Sequence, residues 1–237
     1  MTLLRATLAA ATVIVILTGA VLVSGCGTVE APDSGPAGGG GGPISVTDMR
    51  GKQIALDGPA TKVVGLEWNV VEHLVSLGVM PVGVADVKGY SAWVKAEPLD
   101  DTVTDVGLRD EPSIDSIAAL APELVITTPD VPEAAIAQLE RFVPVLVIRA
   151  ADAAKGTAQM RDNLKAVATM TGTQRAAGQL LADFDAELAE GRTALDAAGL
   201  AGQQVAFADA YLDAGQVSIR PFTEGSLIGS VTRNWAW

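Results

Sequence analysis

A formal charge of −12 on 237 residues, with the 16 lysines and arginines scattered, leaves no basic patch or stripe to grip nucleic acid. The single cysteine excludes an intrachain disulfide, and the single histidine is too few for a zinc-capture site built on several. The length allows one large domain or two modest ones.

Residues 1–26 read as a lipoprotein signal peptide. Arg5 is the only charged side chain before Glu30, and Ala6 to Val23 is an unbroken run of apolar and small residues. The run ends in Val23-Ser24-Gly25-Cys26, which is similar to a bacterial lipobox; in that motif Cys26 would receive a diacylglycerol and become the mature N-terminus. Competing readings are a transmembrane anchor, for which about 20 apolar residues suffice, and an ordinary buried thiol at Cys26. Residues 27–43, GTVEAPDSGPAGGGGGP, have the composition of a flexible tether. Their five consecutive glycines lack the G-x-x-x-x-G-K-[ST] spacing of a phosphate loop.

After Pro43 short apolar runs alternate with helical stretches. Lys62 to Leu66 reads as a buried strand. Val70 to Leu77 reads as a helix with Val70, Val71, Leu74 and Leu77 on one face, closed by Gly78. Val82 to Ala85 is a second strand, and Pro112-Ser113 opens a helix carrying Ile114, Ile117 and Leu120. Leu124 to Ile126 is a strand, Pro132 to Arg141 a helix and Val145 to Ile148 a strand. Such alternation predicts βαβ units and a mostly parallel sheet, and the Val/Ile/Leu runs without alternation predict strands covered on both faces. From Thr157 to Ala198 the chain is Ala-rich, helix-favouring and free of proline, with a break expected near Thr171-Gly172-Thr173. A new strand starts around Val205 to Phe207. The layout is an α/β lobe (44–151), an interlobe helix region (152–200) and the start of a second lobe (201–237).

Four segments carry a family resemblance: VVGLEWNVVEHLVSLGVMPVGVADVKGYSAWV from Val63, TDVGLRDEPSIDSIAALAPELVI from Thr104, the long helix, and the weaker QVSIRPFTEGSLIGSV from Gln216. Together they resemble the ferric hydroxamate-binding proteins among the iron-siderophore substrate-binding proteins of ABC importers. The resemblance implies a two-lobe α/β fold with mostly parallel sheets bridged by a long helix, and a ligand held between the lobes. It implies capture of a ferric siderophore, hydroxamate type favoured, and delivery to an ABC permease and its ATPase. The iron arrives inside its chelator, so no metal ligands and no cofactor are needed. Lipid anchoring through Cys26 would hold the protein on the extracytoplasmic face of the membrane. Haem and cobalamin are the competing ligands on the same fold. The family continues with a fuller second lobe, and Thr232 to Trp237 matches none of it. The expectation is therefore a second lobe that stops partway, an uncovered apolar face at Leu180, Phe184 and Leu188, and, as an alternative role, a membrane-tethered remnant.

Arg109, in Gly-Leu-Arg, is the expected donor to chelator oxygens, because a guanidinium offers several charge-assisted hydrogen bonds; a salt bridge with Asp110 or Glu111 is its other reading. Trp68, Tyr90 and Trp93 are expected aromatic walls for the chelator's apolar spacers, with core packing as the alternative. The resemblance implies permease docking for Glu72, which otherwise is a solvated helix charge. A matching glutamate is expected on the second lobe; Glu224 lies in the right neighbourhood without taking the role. His73 is expected to be a packed or surface helix residue. An enzyme is disfavoured: G-x-S-x-G, H-E-x-x-H, P-loop and C-x-x-C motifs are all absent from the sequence.

Overall fold

Leucine, valine and isoleucine runs build a five-stranded parallel sheet in the order β5-β4-β3-β6-β7. Its strands are β3 (Val63–Gly65), β4 (Gly83–Val84), β5 (Thr104–Asp105), β6 (Leu124–Thr127) and β7 (Val145–Val147). The computed structural model describes residues 42–236; Cys26, the apolar run and most of the tether lie outside the described residues. Among the described residues, no helix is long and apolar enough to cross a membrane.

The absence of polar alternation in these strands has a direct cause. Val63, Leu124, Ile126 and Leu146 pack into one core with Val70 and Leu74 of α1 (Trp68–Ser76) and with Leu164, Val167 and Met170 of α5 (Thr157–Thr171). Val64, Val125, Val145 and Val147 point to the other face. There they meet Ile117 of α3 (Ile114–Ala119) and Ile136 and Leu139 of α4 (Glu133–Leu139). Side chains alternate across a strand, so a strand covered on both faces must be apolar at every position. The antiparallel hairpin of β1 (Ile44–Thr47) and β2 (Gln53–Leu56) seals the first core with Ile54, Ile44, Val46 and Leu56.

The helix ends follow local chemistry. At the end of α1, Gly78 (φ +77°) donates to the Val75 carbonyl (2.8 Å) and Val79 to that of Leu74 (2.9 Å). These are the two bonds of a Schellman cap. Ser113 caps α3 by accepting from the Ser116 amide. The expected break at Gly172 is present (φ +71°), and it separates α5 from α6 (Gln174–Ala197). A helix of 24 residues spans about 36 Å.

After α6 come an antiparallel hairpin, β8 (Phe207–Asp213) and β9 (Gln216–Phe222), and helix α7 (Leu227–Ala236). Helix α7 packs against α5 and α6. The uncovered face expected on the strut does not appear: Leu188 is 5% exposed, Leu180 packs against the first core and Phe184 is half-buried beneath Arg161. Exposed apolar side chains gather instead on one face of the hairpin. Its cross-strand pairs Ala208–Pro221, Ala210–Ile219 and Leu212–Val217 share one face, with Leu212, Val217 and Ile219 exposed by 76, 69 and 68%. The opposite face carries the Asp209–Arg220 ion pair.

Candidate ligand-binding site

In an open parallel sheet, ligands bind beyond the carboxyl ends of the strands, where successive crossovers leave in opposite directions. Here that reversal falls at β3, whose neighbours are β4 and β6. A cavity of about 310 Å³ opens at this edge, lined by Glu67 after β3, Asp86 after β4, Leu108, Arg109 and Asp110 after β5, and Asp130 after β6.

Arg109 is the centre of this mouth. Its Nε donates to Glu67 Oε1 (3.0 Å) and its Nη2 to Oε2 (2.8 Å), a bidentate pair linking residues 42 positions apart. Glu67 is buried, whereas the arginine side chain keeps 40% of its surface exposed. The guanidinium also lies over the Trp68 ring, 4.4 Å from its centroid, in the range of a cation–π contact. The alternative reading of Arg109 paired it with Asp110 or Glu111; the acid that engages it is Glu67. The loop is shaped by Gly107 (φ +101°), which bridges to Pro112 and where a Cβ would sit 3.0 Å from the Ser113 amide nitrogen. That backbone conformation favours glycine.

The Gly-Tyr-x-x-Trp segment forms α2 (Val87–Trp93) and divides the aromatic candidates. Asp86 (φ +53°) caps it, its Oδ1 accepting from the Gly89 amide at 2.9 Å. A Cβ on Gly89 would lie 2.1 Å from Asp86 Oδ2 and 2.6 Å from Trp68 Cζ2. The glycine thus lets α2 close onto the Trp68 ring, a positioning role the sequence reading missed. Tyr90 is fully buried, and its hydroxyl donates to the Glu97 carbonyl (2.7 Å). Burial, reinforced by Glu72 and Glu97, raises its pKa. This is a correction: Tyr90 packs in the core and offers no wall to a ligand. Trp93 is 79% exposed, and Trp68 is half-buried beneath Arg109.

Glu72 sits elsewhere. With Asn69, His73, Asp152, Met160 and Leu227 it lines a separate cavity of about 170 Å³. Burial and then the nearby Glu97 raise its pKa, and burial lowers that of His73 to about 4. Glu72 is half-buried on α1 and lines this second cavity. His73 is a packed helix residue, as expected. Glu224 is exposed between β9 and α7, and its backbone carbonyl accepts from Arg233.

A parallel sheet covered on both faces, a mouth at its carboxyl edge and a long helix leading away define a solute-binding architecture. Residues 63–219 match the periplasmic binding protein family, and the chain belongs to it. Among curated relatives, the iron(3+)-hydroxamate-binding protein FhuD of Escherichia coli strain K12 is 35% identical over 127 residues, 52% of this chain and 42% of that protein. The Fe(3+)-citrate-binding protein YfmC of Bacillus subtilis strain 168 is 27% identical over 139 residues, 59% of this chain and 44% of that protein. Among solved structures, the siderophore-binding protein FhuD of Vibrio cholerae, bound to Fe3+-Desferal, superposes with a TM-score of 0.64 at 27% identity. That match covers 74% of this chain and 65% of the other. A periplasmic solute-binding protein of Mycobacterium smegmatis gives a TM-score of 0.66 at 17% identity, covering 82% and 68%, a likeness of fold. The chain spans less than half the length of the curated relatives it matches.

Proposed function

We propose that this chain is the substrate-binding component of an ABC importer. It captures a ferric siderophore of the hydroxamate type on the extracytoplasmic side of a bacterial membrane and passes it to a permease driven by an ATPase. The observation that carries the reading is Arg109, fixed by Glu67 and stacked on Trp68 at the carboxyl edge of the sheet. A hydroxamate chelate presents a ring of oxygens around iron together with apolar spacers. Nη1 and the free edge of Nη2 are the donors for the oxygens; Trp68, Leu108 and the exposed Trp93 are the apolar partners for the spacers. The likeness to proteins named for ferric hydroxamates supports the same class. Docking to the permease falls to Glu72, half-buried on α1, as the family resemblance implies. Anchoring belongs to Cys26 as a diacylglyceryl cysteine, and mass spectrometry of the mature N-terminus checks it: an unmodified Cys26 in the membrane fraction would overturn the anchor.

The function is tested by titrating the full-length chain, held in detergent, with ferric desferrioxamine B while following tryptophan fluorescence. Binding should quench the signal. Arg109→Ala should weaken affinity by about 1–3 kcal/mol, or roughly 5- to 150-fold, the cost of a lost charge-assisted hydrogen bond with a buried partner left behind. Because that variant also strands Glu67, the double variant Arg109→Met with Glu67→Gln should be as weak while melting close to the parent. Unchanged affinity in both would remove Arg109 from the site.

A further inference from the structure

We infer that this mouth sorts ferric chelates by their net charge, taking cationic complexes best, neutral ones next and anionic ones worst. The inference rests on reading the cavity as the chelate site, and it adds a selection rule that the hydroxamate class does not contain. Among the described residues lining the cavity, Arg109 is the one cation and Glu67, Asp86, Asp110 and Asp130 are carboxylates. The Arg109 charge is matched by Glu67 through both nitrogens. Three carboxylates then face the opening with no cation of their own on its lining. Two are held in place by neutral donors, which orient a carboxylate without cancelling its charge. The Gly89 amide donates to Asp86 at 2.9 Å, and the Thr128 hydroxyl donates to Asp130 at 2.9 Å. Asp110 is exposed at the rim, three residues past the Gly107 turn.

Octahedral iron wrapped by three hydroxamates is neutral at its core, so the charge of such a complex is set by its pendant groups. A free ammonium makes it a cation, whereas the surplus carboxylates of a ferric citrate complex make it an anion. The guanidinium selects for the oxygens of the iron core, and the aspartates select for what hangs beyond them. An anionic chelate meets the same arginine but enters a field in which every other ionic group repels it. Interactions of this kind at a partly exposed mouth act within a Debye length of about 10 Å at 0.1 M salt. They shift affinity by roughly tenfold per unit charge at low ionic strength. With the whole chain at −12, the long-range field steers the encounter in the same direction.

The test keeps the iron core constant and varies only the pendant group. Ferric desferrioxamine B is used with its free ammonium (+1), after N-acetylation (0) and after N-succinylation (−1). Each is titrated against the full-length chain in detergent at low salt and again at 0.5 M salt. The expected order is ammonium, acetyl, succinyl, with roughly 100-fold between the extremes at low salt and a spread that narrows at high salt. The double variant Asp110→Asn with Asp130→Asn should compress the spread to about tenfold or less. Equal affinities, a succinyl complex that binds tightest, or a spread untouched by the two substitutions would each overturn the charge rule while leaving the chelate site standing. Failure of all three complexes to bind would overturn the site itself, and with it the rule.

Discussion

Glycine 89 shows how little side chain a binding edge tolerates behind its working residues. Asp86 Oδ2 and the Trp68 ring occupy the space its Cβ would need. Gly89→Ala should therefore cost about 1–3 kcal/mol of stability through overpacking and also lower chelate affinity, because the shelf beneath Arg109 shifts. Thermal melts and the same fluorescence titration separate the two effects; wild-type affinity in the variant would show that the shelf is unimportant. Histidine 73 supplies a pH test. Its pKa lies near 4 when folded, against an ordinary 6.5, so the unfolded chain binds a proton first as pH falls. The neutral histidine contributes stability that is present above pH 6.5 and lost as pH drops toward 4, about 3 kcal/mol in all. Glu72 acts with the opposite sign, since its raised pKa favours the fold below its usual range. The histidine's loss should dominate between pH 6.5 and 4, and His73→Gln should flatten the melting temperature across that window. Of the site residues, Arg109 was singled out by the Gly-Leu-Arg motif of the family resemblance and by the donors a guanidinium carries. Glu67 was not legible as its partner: the pair closes over 42 residues of chain, and spacing carries no trace of it. Tyr90 was misjudged because a tyrosine one helical turn before Trp93 can face either way, and only the fold chooses.

At the scale of elements, legibility followed apolar density. Strands β3, β6 and β7 and helices α1, α3 and α4 announced themselves through runs and periodicity, and Gly172 announced the break between α5 and α6. Strand β5 did not, since it is two exposed residues, Thr104 and Asp105, held by β4 alone. Hairpin β1–β2 was passed over because ISVT and QIAL are short and follow a tether. The join between α5 and α7 is the element contact most open to test. Gly156 has φ +53° and donates its space to Ser230: a Cβ there would stand 2.2 Å from Ser230 Oγ, which accepts from the Thr157 amide at 3.0 Å. Gly156→Ala combines a left-handed backbone with that clash, so a loss of about 1–3 kcal/mol is expected. Hydrogen exchange should show α7 amides losing protection ahead of the sheet. Equal protection throughout would mean α7 does not depend on this contact.

At the scale of the whole molecule, the hairpin face of Ala208, Ala210, Leu212, Val217, Ile219 and Pro221 gathers exposed apolar side chains among the described residues. Contiguous exposed apolar residues favour association. Light scattering of the full chain in detergent-free buffer should rise with concentration, and Leu212→Lys with Ile219→Lys should suppress it; identical scattering would acquit the hairpin.

The parallel sheet leaves the molecule with two rims that carry different obligations. At the carboxyl rim lie Glu67, Asp86, Arg109 and Asp130. At the amino rim Glu123 clamps the start of β3, accepting from the Thr61 and Lys62 amides and the Thr61 hydroxyl, bonds that lower its pKa. On the proposed reading, the loops that meet the chelate lie on one side of this sheet and the Glu123 clamp on the other. A lineage could rewrite its diet by exchanging carboxyl-rim loops while inheriting the amino rim untouched, and an engineer could hang a reporter from the amino rim without disturbing what the protein eats.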